Sequence, residues 1–150
     1  MNTPGQVKFS SVLKTPLQKV AITDIGDVTW KLYGYGELST GVVQKSETLK
    51  YGWENLVRFY KNGNLIGFST GNEFQGTYEI SNSCINITSF KSSKQKENYD
   101  GGKLCDTLPK CKRFKITGNW LQLFYHDGSN FLLFKVSNST NLTNDQGTVL

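Results

Sequence analysis

Residues 55–69 read Asn55-Leu56-Val57-Arg58-Phe59-Tyr60-Lys61-Asn62-Gly63-Asn64-Leu65-Ile66-Gly67-Phe68-Ser69. In the first half, Leu56, Arg58 and Tyr60 alternate with Val57 and Phe59, the period of a β-strand. Asn62-Gly63 follows at once, the strongest short hairpin signal, and the chain then returns as a second strand. The same punctuation recurs downstream. Residues 74–80 read as a strand in which Gly76 suggests a bulge. Ser81-Asn82 then turns the chain into 84–88, where Ile85 and Ile87 alternate with polar neighbours. Gly118-Asn119 joins strands 113–116 and 120–125, and Asp127-Gly128 joins the latter to 130–136. Upstream, 28–35 is rich in Val, Trp and Tyr. Short strands at this spacing define a mostly β (α+β) chain, a compact antiparallel β-barrel-like domain or a sandwich. The exception is 92–108. Lys94, Gln95, Lys96 and Glu97 favour helix, Leu104 and Leu108 stand four apart, and Gly101-Gly102 interrupts. One short helix ending before Pro109 is expected, lying across one mouth of the sheet.

The chain has 150 residues, a length that predicts one domain burying about 70% of its unfolded surface. The expected division is an N-terminal arm over 1–27 with a strand near 18–22, the β domain over 28–136, and a polar tail over 137–150. No apolar run approaches the roughly 18 residues of a spanning helix. Met1-Asn2-Thr3-Pro4 carries no basic-then-apolar leader.

Lys and Arg number 17 against 12 acidic residues, a net charge of +5. The whole surplus lies in 91–115. Nearly all of it is Lys, whereas sequence-specific nucleic-acid contacts lean on Arg. The exposed basic surface is assigned to Lys110, Lys112, Arg113 and Lys115, either as a solvated face or as a contact for an anionic partner. Nucleic acid is disfavoured further because only Tyr99 and Phe114 interleave with that charge.

Tests for chemistry return no catalytic residue. His126, the one histidine, sits at a hairpin tip. No Gly-x-Ser-x-Gly elbow, phosphate loop or calcium loop is present. Cys84, Cys105 and Cys111 fit no zinc spacing, so no metal and no cofactor is expected. A Cys105–Cys111 disulfide is expected if the chain is exported, with Cys84 buried and reduced; three buried free thiols are the alternative. The run Tyr33-Gly34-Tyr35-Gly36 has two readings. It is packing around glycine kinks in curved strands, or, with Tyr51, Trp53, Trp120, Tyr125 and Phe131, an aromatic contact rim. Tyr33, Tyr35, Tyr51 and Trp53 are the candidate partner-binding residues.

Taken in order, the strand residues resemble the META domain family, of the HslJ heat-shock-protein type. The matching pieces are Trp30-Lys31-Leu32, then Phe59-Tyr60-Lys61-Asn62-Gly63. Gly67 follows, with Asn72-Glu73-Phe74-Gln75-Gly76-Thr77-Tyr78 behind it. Leu104, Leu108 and Phe114 come next, and Gly118-Asn119-Trp120-Leu121-Gln122-Leu123 closes the series. The chain departs at Thr70-Gly71-Asn72, where the family has Gly-Cys-Asn, and at Lys91-Ser92-Ser93, where the family's Met and second Cys are missing. The resemblance implies a barrel with a helix and no shared enzymatic activity. By analogy it also implies export to a bacterial envelope, as a secreted protein or lipoprotein. The expected role is thus a non-enzymatic binding or accessory module meeting a protein or other macromolecule. The alternatives are a lipocalin-like carrier of a small ligand, which needs an open cavity, and a nucleic-acid-binding barrel.

Overall fold

The computed structural model describes residues 5–13, 24–47, 55–69, 71–93 and 101–137. The strand expected near 18–22 lies outside them, as do the tail beyond Ser137 and the basic segment 94–100. The chain runs through β1 (Gln6–Lys8), α1 (Phe9–Val12, one turn), β2 (Val28–Glu37), β3 (Val42–Lys45), β4 (Leu56–Phe59), β5 (Asn64–Phe68), β6 (Glu73–Ser81), β7 (Cys84–Ser92), α2 (Gly101–Thr107), β8 (Arg113–Thr117), β9 (Trp120–Tyr125) and β10 (Asn130–Val136). The ten strands of the described residues join one sheet of antiparallel neighbours.

Ring closure depends on β2. One edge of β2 pairs with β10. On the other edge, Val28–Lys31 pairs with β4 and Gly34–Gly36 pairs with β3. The order β2-β10-β9-β8-β7-β6-β5-β4 therefore returns to β2, while β3 and β1 continue as a spur. The described part of the N-terminal arm is thereby docked onto the sheet through β1 and β3. The weakest seam is β7–β8, where the register holds only Cys84 opposite Arg113.

The hairpins sit where turn chemistry put them. Tyr60 N–H donates to Asn64 C=O at 2.7 Å around Lys61-Asn62-Gly63, and Gly63 takes φ +96°. This is a three-residue loop whose left-handed position suits glycine. Gly118-Asn119 connects Thr117 to Trp120 directly. The last hairpin is wider than its Asp127-Gly128 signal implied: Tyr125 pairs with Asn130, and His126 and Asp127 both adopt positive φ. Gly76 does mark a bulge. The extra residue belongs to β7, where Ser89 at φ +51° and Phe90 face Gly76 between the pairs Gln75–Lys91 and Thr77–Thr88.

Odd positions of β9 and even positions of β10 point inward, and the ring interior is filled by one cluster. Trp30, Leu32, Val57, Phe59, Leu65, Leu121, Leu123 and Phe134 contribute, and none of them is exposed. Trp30 Nε1–H finds the Ile25 carbonyl at 3.2 Å, so even the polar atom of the largest core residue is satisfied. The spaced Leu104 and Leu108 behave as expected: α2 and the 3-10 turn Leu108–Lys110 after it press both into the cluster. The expected start of this helix at residue 92 is corrected. Ser92 ends β7, and among the described residues α2 spans Gly101–Thr107, with Gly101-Gly102 inside it; the expected helical stretch 94–100 lies outside the described residues. A second cluster lies outside the ring, where Trp120, Phe131 and Leu133 of β9 and β10 pack with Val43 and Val12. The docked arm adds Val7, Phe9 and Leu13 to it.

Candidate functional site

The aromatic-glycine run divides between these two clusters. The β2–β10 register skips Tyr33, because Leu133 faces Gly34 and Phe134 faces Leu32. That bulge breaks the alternation, so Tyr33 and Tyr35 lie on opposite faces of the sheet. Tyr33 packs outside, edge-on to Trp120 with centroids 5.0 Å apart. Tyr35 enters the inner cluster and is 8% exposed. Trp120, Tyr125 and Phe131, expected at the same rim, are also buried. The glycines are packing devices. A methyl on Gly36 would collide with the Phe131 ring, and one on Gly34 with the Gln44 carbonyl. The run is thus wall structure and not an exposed edge. Tyr51 and Trp53 lie outside the described residues.

Tyr35 still reaches one surface feature, an open cleft of about 390 Å³ lined also by Glu37, Gln44, Lys103, Tyr125 and Asn130. The Lys103 ammonium lies 4.1 Å above the Tyr35 ring, a cation–π contact that uses that face.

Lys110, Lys112, Arg113 and Lys115 are all exposed, as expected. Lys112 Nζ donates to Asn86 Oδ1 across the β7–β8 seam at 3.5 Å. Arg113 and Lys115 alternate outward on β8 and line a second cleft of about 390 Å³. Its other walls are Leu38, Phe114, Phe124 and Asp127. Leu38 is 56% exposed, the most exposed large apolar side chain among the described residues. Sequence reading did not select Leu38 or Phe124. The available signal was an aliphatic residue inside the polar turn Glu37-Leu38-Ser39-Thr40, where a leucine has no local reason to stand. The turn is held firmly. Leu38 N–H donates to Ser129 C=O at 2.9 Å, Gly41 N–H to Glu37 C=O at 2.9 Å, and Lys8 Nζ to Thr40 C=O at 2.7 Å.

The titratable groups are placed as follows. His126 is exposed at its turn, with Nδ1 3.3 Å from Asn130 Oδ1. The cysteine assignment is corrected: Cys84 is exposed, Cys111 is the buried thiol, and all three are free. Before the bulge, even residues of β7 face outward, which puts Cys84 on the surface and Ile85 in the core. Cys111 Sγ lies 3.7 Å from the Thr107 carbonyl and 3.8 Å from that of Leu123, while Cys105 Sγ meets Ser69 Oγ at 3.7 Å. Burial pushes the Cys111 thiol up to about 12, against a smaller downward pull from Lys112. A thiol so held is inert as a nucleophile. Among the described residues, no three of His, Cys, Asp and Glu gather as metal ligands.

The chain matches no family model and no curated protein sequence. Its fold is similar to solved structures. A Burkholderia xenovorans protein determined by NMR superposes with a TM-score of 0.61 at 16% identity, covering 84% of this chain and 99% of that one. A DUF4847 family protein from Bacteroides vulgatus superposes at 0.58 with 11% identity, covering 77% and 96%. At these identities the likeness is one of fold alone.

Proposed function

We propose that this chain is a non-enzymatic, META-like module, exported to a bacterial envelope, that binds a protein or other macromolecule on the outside of its ring. The observation that carries this reading is the filled interior. Trp30, Leu32, Phe59 and Phe134 occupy the space where a lipocalin-like carrier would hold its ligand, each with no exposure. Recognition is left to the outer surface, where the Arg113–Lys115 cleft joins apolar floor to unspent charge. The nucleic-acid alternative draws less support. Phe114 is half-buried and packed against the inner cluster, so it offers little free ring face for a base.

Two measurements test this. Native mass spectrometry of the protein purified from its source should give the bare polypeptide mass, and a stoichiometric co-purifying small molecule would return the carrier reading. Fractionation of source cells should place the chain with the envelope. Recovery in the cytosol would overturn the export half.

A further inference from the structure

The geometry points to the Leu38–Phe124 cleft as a docking site for an acidic peptide segment that carries an apolar anchor residue, a partner assignment that rests on the binding-module reading above. Three observations carry it. First, the floor is apolar: Leu38 of the turn after β2 and Phe124 of β9, which packs with the outer cluster, both line it. Second, the flanks are cationic and uncompensated. Among the described residues, neither Arg113 nor Lys115 has a carboxylate within ion-pair distance, although Asp127 shares the cleft. Exposed Lys110 and Lys112 extend the positive strip beyond the cleft. Third, the cleft is preorganised, because the turn bearing Leu38 is bonded to the Ser129 carbonyl of the neighbouring hairpin. A rigid apolar seat loses little freedom on binding, which favours affinity.

The shape argues for a peptide over other anions. Leu38 is aliphatic and offers no base-stacking face, and the Asp127 carboxylate opposes a continuous phosphate backbone. A volume of about 390 Å³ accommodates one or two anchor side chains, and acidic neighbours would then reach Arg113 and Lys115. The anchor supplies affinity by burial, and the acidic neighbours supply orientation and on-rate.

The test is fluorescence anisotropy of the full chain with a fluorescein-labelled synthetic peptide, a Leu-Phe pair flanked on both sides by Glu and Asp. Saturable binding is expected, weakening as salt rises. Arg113→Glu with Lys115→Glu should weaken it by about tenfold or more and flatten the salt dependence. Leu38→Ser should also weaken it about tenfold but leave the salt dependence unchanged. All three residues are exposed, so near-UV circular dichroism should match the parent. Amide shifts in nitrogen-15 NMR spectra should centre on Leu38, Phe114 and Phe124. The inference is overturned by an absence of saturable binding, by a Leu38→Ser variant that binds like the parent, or by tighter binding of oligothymidylate or of phosphatidylglycerol vesicles. Envelope fractionation remains independent, so the module reading and the peptide assignment fail separately.

Discussion

Replacing Gly36 with Ala probes the contact that ties β2 to the outer cluster. The added methyl would occupy the same space as the Phe131 ring, which is itself 1% exposed and braced by Phe9 and Phe124 at centroid distances of 5.6 and 5.7 Å. The ring cannot swing into solvent without breaking both aromatic contacts. Overpacking of this kind costs about 1–3 kcal/mol. Gly36 has a negative φ, so the backbone accepts Ala, and the loss of unfolded-state freedom returns about 0.4–1 kcal/mol. A net loss of about 1.3 kcal/mol is expected, lowering Tm by roughly 3–5 °C for a domain of this size. The decisive assay is a double-mutant cycle by urea denaturation. Phe131→Ala alone should cost about 3–5 kcal/mol. Together the two should cost less than their sum by at least about 1 kcal/mol, because the new methyl enters the space vacated by the ring. Additive effects, or a neutral Gly36→Ala, would refute the close packing and reopen the aromatic run as a contact surface.

Other outcomes follow from single groups. Phe59→Ala empties the fully buried centre of the ring and should cost about 3–5 kcal/mol, measured by thermal denaturation. Ser89→Gly removes a left-handed non-glycine residue from the β7 bulge and should raise stability by up to about 1 kcal/mol, read as a shift in the urea midpoint. Iodoacetamide should label Cys84 in the folded protein and Cys111 only after unfolding, as mass spectrometry of tryptic peptides would report. Because the Cys111 thiol is raised from 9.0 to about 12, its contribution to stability is fully present below pH 9 and is lost as pH rises towards 12. Cys111→Ala should flatten that alkaline limb in a series of melts between those limits.

Hairpin positions were legible because turn chemistry is local. Asn62-Gly63 and Gly118-Asn119 need only their own dihedral preferences to reverse the chain, and each does so. The pairing of Leu104 with Leu108 was legible because four residues make about one helical turn, which put both on the buried face of α2 and its 3-10 extension. The exposed basic strip was legible because charge resists burial. The face of Tyr33 was not, since one bulged residue inverts every side chain after it, and the bulge exists only in the β2–β10 register. Cys84 was misplaced for a related reason: alternation says which residues share a face, not which face is inside.

By itself, then, the sequence determined an antiparallel chain of short strands, one short helix with its buried leucines, and a positive surface on β8. Only the tertiary structure decided that β10 returns to β2 and closes the ring, that the interior is filled, and that Leu38, Phe124, Arg113 and Lys115 line one cleft. Those contacts join turns far apart in the chain, as in the 3.3 Å hydrogen bond from Asn130 Nδ2 to the Gly36 carbonyl across 94 residues. Local propensity carries no information over that distance. Such a contact becomes favourable only when the entropy of closing so long a loop is offset by the strand pairings and packing around it.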